Sequence, residues 1–200
     1  MDVYALDAIT LRNCRKEVDD AARTANAPNF LLDYNDAYEE IIKEKYRLTY
    51  SEAIALDSAR KFDISSLANT LVEILKISEY ADFSSGAGYV EANAHSWDKF
   101  DHDTIVVPTA LENTSVYVKY RYMPALLTNP TPTSTSTSSS PLLPTKDQVA
   151  LTYYAAARYY EGQGQNKKGE ATYWRNLYEQ KKNRITDNLG GKKKFTNMYR

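Results

Sequence analysis

The sequence predicts an α+β fold, with outer helices packed around a small antiparallel β-sheet and an extended C-terminal tail. Three observations carry this. Apolar residues recur at three- and four-residue spacing near both ends of the chain. In the middle, "TSVYVKYRYMP" alternates strictly. Between that strand and the last helical stretch lies "LTNPTPTSTSTSSSPLLP", rich in proline and hydroxyls and free of charge.

The elements follow in order. In "LDAITLRNCRKEVDDAA", Leu11, Cys14 and Val18 share a helical face, predicting a helix over 6–22. "TANAPN" reads as its end, with Pro28 and Asn29 as stop and cap signals. "FLLDYNDAYEEIIKEKYRL" predicts a helix over 31–47, with Leu31, Tyr34, Tyr38, Ile41, Ile42 and Tyr46 on one face. The sheet region is expected at about 52–124. "EAIALDSARKFDI" reads as two short strands with a turn near Asp57 and Ser58, and Ser65–Ser66 as the cap of a single helical turn. "LVEILKIS" fits strand or helix, with strand favoured at its end, since periodicity cannot settle so short an apolar run. "FSSGAGYVEANAHSWDKFDHD" reads as an ordered loop with hairpin character, and "TIVVP" as a buried strand ended by Pro108. In "TSVYVKYRYMP", Val116, Val118, Tyr120 and Tyr122 alternate with Tyr117, Lys119, Arg121 and Met123, giving a sheet of about four strands.

The stretch 127–144 buries too little to order itself. It is a mobile linker or an exposed loop at an assembly surface. Helices are expected over 146–160, with Thr145 as cap and Asp147 at the positive end, and over 170–188, with Trp174, Leu177, Tyr178, Lys181 and Ile185 at helical spacing. Glycines 162, 164 and 169 separate them, and Gly190 and Gly191 end the second. Residues 1–190 then form a single domain and 191–200 a basic tail.

Composition narrows the function classes. Seventeen tyrosines in 200 residues suggest extensive contact surface. The single Cys14 leaves no internal disulfide framework and suggests a reducing compartment. "MDVYALDAITLRNC" has no apolar core of a secretory signal, so Asn113-Thr114-Ser115 is expected to be a chance sequon. No apolar run approaches ~20 residues, so no membrane span is expected. The net charge of −1 hides an asymmetry. From Asn166 to Arg200, ten Lys/Arg stand against three Asp/Glu, a balance of +7, and the preceding part carries −8. Opposite-sign ends suit head-to-tail contact between copies, and also a basic tail near nucleic acid.

Catalytic constellations are weak. "SGAG" at Ser85–Gly88 lacks phosphate-loop spacing. Asp101, His102 and Asp103 are adjacent and would point to opposite faces of a strand, with His95 seven positions away. Cys14 has no histidine near it in sequence and reads as core. No enzyme activity, metal or cofactor is expected. Lys192, Lys193, Lys194 and Arg200, interleaved with Phe195 and Tyr199, could track phosphates and stack on bases, or form a solvated or partner-binding terminus. In "LTYYAAARYYEGQGQ", apolar residues surround the helix on nearly every side. It is expected to pack on its own sheet and, through Tyr154, Ala157, Arg158, Tyr159 and Tyr160, on another subunit.

The order of pieces resembles the head-to-tail adaptor (connector) proteins of tailed bacteriophages. The resemblance rests on "LLDYNDAYEEI", "W…TIVVP…VYVKYRYMP", "PLLP" and "ALTYYAAARYYEGQG…EATYWRNLYEQ", and covers most of Leu11 to Leu189. It implies a structural protein of the virion neck, assembled in the host cytoplasm as a ring, typically a dodecamer. Such a ring docks under the portal protein, receives a head-stopper or tail protein on its far side, and passes DNA through its bore without sequence-specific binding. The resemblance assigns 191–200 to the portal, with Lys192, Lys193, Lys194, Phe195, Met198, Tyr199 and Arg200 as the contacting residues. The long Ser/Thr/Pro insertion before "PLLP" departs from the usual pattern. The alternative from the residues alone is a nucleic-acid-binding protein using the basic tail.

Overall fold

The structure, a computed structural model, describes residues 1–46, 48–78, 81, 83, 89–91, 98–101, 103–107, 114–136 and 138–185, with backbone alone at 89–91 and 98–101. It is α+β, as its helices and antiparallel strands occupy separate stretches of chain. The chain divides into two compact units: Met1–Tyr46 with Leu126–Arg200, and Arg47–Ala125. The first is helical and the second is built of strands.

In the helical unit, α1 (Val3–Asn13) starts at Asp2, whose carboxylate accepts from the Ala5 amide at 2.8 Å. Val3, Leu6, Asp7, Thr10 and Leu11 form its buried stripe. The expected helix over 6–22 is corrected. The chain leaves the helix at Cys14, Arg15 takes the left-handed region at φ 57°, and Val18 lies exposed beyond it. Then α2 (Asp20–Lys45) begins with Asp19 accepting from the Ala22 amide. It runs straight through Pro28, so the stop expected there is also corrected. Pro28 faces solvent, where water can satisfy the carbonyl one turn earlier that it leaves without a partner. Phe30, Tyr34, Tyr38, Ile41 and Ile42 are buried along its inner face.

The stretch 127–144 is held by partners. Asn35 brackets Leu127 with two hydrogen bonds, accepting from its amide at 2.7 Å and donating to its carbonyl at 3.2 Å. Thr128 and Ser139 pair across its base. The Val3 amide donates to the Ser139 carbonyl at 2.9 Å, and the Tyr4 amide to the Ser138 hydroxyl. Leu127 and Leu143 are among its buried apolar side chains.

Helix α3 (Thr145–Gly162) begins at Pro144, not at a capping Thr145: the Asp147 and Gln148 amides donate to the Pro144 carbonyl, and among the described residues no side chain caps the end. Ala155, Ala156 and Ala157 are all fully buried. Within this unit, α1, α2 and α4 pack on α3. Gly164, at φ 88°, supplies the left-handed residue that turns the chain into α4 (Lys168–Arg184), an antiparallel partner. Ala171, Tyr178, Lys182 and Ile185 are its buried positions.

The second unit contains two antiparallel sheets. In the first, β1 (Thr49–Ala55), β3 (Thr70–Ser78), β4 (Tyr89–Glu91) and β7 (Ser115–Met123) lie in the order β1-β7-β3-β4. In the second, β2 (Lys61–Asp63), β5 (Asp98–Asp101) and β6 (Thr104–Val106) lie in the order β2-β6-β5. The alternation in β7 is realised: Val116, Val118 and Tyr120 are fully buried. Ile54 pairs with Val116, and Ile77 with Val118, so one face of the ladder is continuously apolar. Phe62 and Ile105 of the second sheet join the same core. "LVEILKIS" is entirely strand within β3. Asp63, rather than a serine, caps the single 3-10 turn at Ile64–Ser66 by accepting from the Ser65 amide. Asp57 organises the turn after β1, accepting from the Ala59 and Lys61 amides.

Candidate interaction surface

The "YYAAARYY" helix, α3, separates its residues by direction. Tyr154 turns inward: its ring meets Tyr178 edge-on at 5.1 Å, and the Arg175 guanidinium lies 4.9 Å from it. Ala157 has no exposed surface, and Tyr160 is buried with its hydroxyl donating to the Asn13 carbonyl at 3.3 Å. These three are occupied within the unit. Arg158 and Tyr159 reach the surface. Arg158 ion-pairs with Glu161 at 3.2 Å and Asp33 at 3.6 Å. The Tyr159 ring is edge-on to Phe30 at 6.3 Å, with the Lys16 ammonium 5.7 Å from its centroid.

Those two residues open onto a groove of about 820 Å³ between α2 and the end of α3. Phe30, Leu32, Asp33 and Asp36 form its α2 wall, and Arg158, Tyr159 and Glu161 its α3 wall. Leu32 is 66% exposed. Burial raises the Asp33 carboxyl to about 6, with Arg158 only partly opposing it. Burial also works against the charge of Glu161, yet Arg175 and Arg158 outweigh it and hold that carboxyl below its ordinary range. Asp36 has no ion-pair partner among the described residues.

A second hollow, about 380 Å³, lies between α3 and α4. Lys146, Val149 and Tyr153 line it from α3, and Leu177, Lys181 and Arg184 from α4. At its edge the Tyr153 ring lies 5.7 Å from that of Trp174 at a tilt of 37°, and Trp174 meets Tyr173 at 5.2 Å. Tyr173 is 58% exposed. Lys181 pairs with Asp147 at 3.7 Å, while Lys146 and Arg184 have no ion-pair partner among the described residues. Tyr153, Lys146, Arg184 and Leu32 were not singled out from sequence as contact residues. Their role depends on which helix flanks which, and composition is silent on that.

Among the described residues no group of three or more His, Cys, Asp or Glu is placed to hold a metal ion. Cys14 is buried, and burial pushes its thiol up to about 12, away from nucleophilic character. No described helix is long and apolar enough to cross a membrane. Ser85–Gly88, His95, His102, Pro108, Asn113 and the tail residues Lys192, Lys193, Lys194, Phe195, Met198, Tyr199 and Arg200 lie outside the described residues.

No family model matches the chain, and a search of curated proteins gives no match.

Proposed function

We propose that the chain is a structural head-to-tail adaptor of a tailed bacteriophage, without enzymatic activity or cofactor. It forms a ring between the portal and a stopper or tail protein, and passes DNA through its bore without reading sequence. The observation that carries the reading is the pair of open, differently charged surfaces on either side of α3. A ring needs two different, complementary patches on each copy, and α3 carries one toward α2 and one toward α4. The order of elements supports it as well: a helical pair, a central antiparallel region, a proline-rich segment and a final helical pair. This is the plan that the sequence resemblance implies.

The test is co-sedimentation of the full chain with purified portal, with electron microscopy of the pelleted complex. Ring-shaped density on the portal is expected. Deleting 192–200 is expected to leave the melting temperature within about 2 °C and to weaken portal binding at least about tenfold, as suits a short basic terminus that contributes binding charge. A strictly monomeric chain that ignores portal and binds DNA with a steep salt dependence would favour the nucleic-acid-binding alternative.

A further inference from the structure

The groove and the hollow complement one another in charge and in apolar content. The groove presents Asp36 without an ion-pair partner, beside the exposed side chain of Leu32 and the ring of Tyr159. The hollow presents Lys146 and Arg184 without partners among the described residues, around Val149, Leu177 and the Tyr153 ring. They also face away from each other. At 3.6 residues per turn, Lys146, Val149 and Tyr153 leave the α3 axis in one direction, and Arg158 and Tyr159 roughly 160° from it. A single copy therefore cannot bring the two together.

We propose that the α2/α3 groove of one copy receives the α3/α4 hollow of the next, so that head-to-tail assembly runs through these two surfaces of the helical unit. The occupant of each is a second copy of this chain. Asp36 meets Lys146 and Arg184 at the rim, and Leu32 enters the apolar floor between Val149 and Leu177. This rests on the ring-adaptor reading and names the faces that would build the ring. Two surfaces of opposite sign and different shape make a heterologous contact, the kind that closes into rings. Charged rims make such contacts salt-sensitive and set their register.

The experiment is a charge exchange in the full-length chain, read by sedimentation velocity at low salt. One variant carries Lys146→Glu with Arg184→Glu, and the other carries Asp36→Lys. All three positions are exposed, so both variants are expected to keep the wild-type circular dichroism. The wild type is expected to sediment as an oligomer, and each variant alone as a monomer. An equimolar mixture is expected to regain the oligomer, because every contact between unlike copies pairs opposite charges. A wild type that stays monomeric would overturn the proposal, as would variants that keep the wild-type mass, or a mixture that fails to reassemble. Loss of DNA binding by the Lys146→Glu, Arg184→Glu variant at unchanged oligomer mass would assign the hollow to phosphates instead. Portal co-sedimentation separates the two levels: a chain that docks on portal while its oligomer ignores these substitutions keeps the adaptor reading and loses these faces.

Discussion

The two units solve the problem of a stable interior differently. The strand unit buries Ile54, Phe62, Leu67, Ile74, Ile77, Ile105, Val107, Val116, Val118 and Tyr120, and among its described residues Ser78 is the one buried polar side chain. The helical unit buries Asp7, Thr10, Arg23, Asn129, Asp147, Gln148, Thr152 and Lys182 alongside its apolar residues. The difference follows from chain order. The strand unit is one continuous segment whose ladders fix register through the backbone. The helical unit closes two segments that are far apart in sequence, and apolar helix faces alone tolerate sliding. Polar bonds pin them together. Tyr46 donates to Asp147, Tyr178 and Lys182 both donate to Glu40, and Asn129 donates to Asp7 at 3.2 Å. Between about pH 5 and pH 8 the strand unit should therefore be sensitive to volume and indifferent to pH, and the helical unit sensitive to both.

The largest effect is expected at Ile77, fully buried opposite Val118 in the strand core. Ile77→Ala should cost about 3 kcal/mol in denaturant unfolding, by the transfer and cavity terms of large-to-small core changes. The loss should be the same at pH 5 and pH 8. A marked pH dependence would break the contrast between the units. Next comes Ala156→Trp in the helical unit. Ala156 has no exposed surface, so the indole must force α3 from its neighbours at about 2 to 3 kcal/mol. An unchanged melting temperature would mean that the helices around α3 are looser than their burial suggests.

How much of this was legible in the sequence follows the same division. The alternation of β7 was plain because it depends on one strand and one face. That α3 is crowded on several sides follows from its nearly all-round apolar pattern, yet Ala157, expected against another subunit, is fully buried within its own unit. That Tyr153 meets Trp174 while Tyr154 meets Tyr178 depends on the register of two helices, which local spacing does not encode. Pro28 misled because its local rule gave way to solvent exposure, which belongs to the tertiary structure. By composition the stretch 127–144 cannot order itself. Its order comes from Asn35, Tyr38 and the start of α1, which composition cannot reveal.

A smaller effect should expose the pH sensitivity of the helical unit. Asp7 is 1% exposed, and burial raises its carboxyl to about 6, with neighbouring Tyr34 and Arg23 offsetting only part. Among the described residues, its Oδ1 and the Asn129 Oδ1 have no hydrogen-bond partner. The folded state thus holds the Asp7 proton more tightly than the unfolded chain, whose carboxyl titrates near 4. Stability from this group is gained as pH falls through about 6 and lost as pH rises through the same window. The swing should be about 2 kcal/mol between pH 4.5 and 7.5. Asp33 adds a weaker contribution of the same sign from a more hydrated site. Asp7→Asn should remove most of the slope and be the more stable protein at pH 7.5. An unaltered slope would place the sensitivity elsewhere. Below about pH 4.5 the trend should reverse, since Glu40 and Glu161 are held below their ordinary range and their ion pairs are lost on protonation.

The smallest effect tests whether the pinning bonds, and not tyrosine burial as such, hold the two segments together. Tyr46 closes α2 onto the start of α3: its hydroxyl donates to Asp147 Oδ2 at 2.7 Å, and burial followed by that carboxylate raises its own ionisation above the usual phenol range. Tyr160 is buried to a similar degree, but its hydroxyl reaches a neutral carbonyl at 3.3 Å. Removing each hydroxyl leaves the ring in place, so packing is nearly constant between the two changes. Tyr46→Phe leaves a buried carboxylate with one fewer donor, supported among the described residues by Lys181 at 3.7 Å and by its place in the first turn of α3. A bond to a charged acceptor is worth about 1.5 kcal/mol. Tyr160→Phe gives up a long bond between neutral groups and should cost under about 0.5 kcal/mol. Equal losses would mean that the aromatic bodies carry the closure and the polar bonds only decorate it. The expected gap of about 1 kcal/mol would place the register of the helical unit in its buried charges.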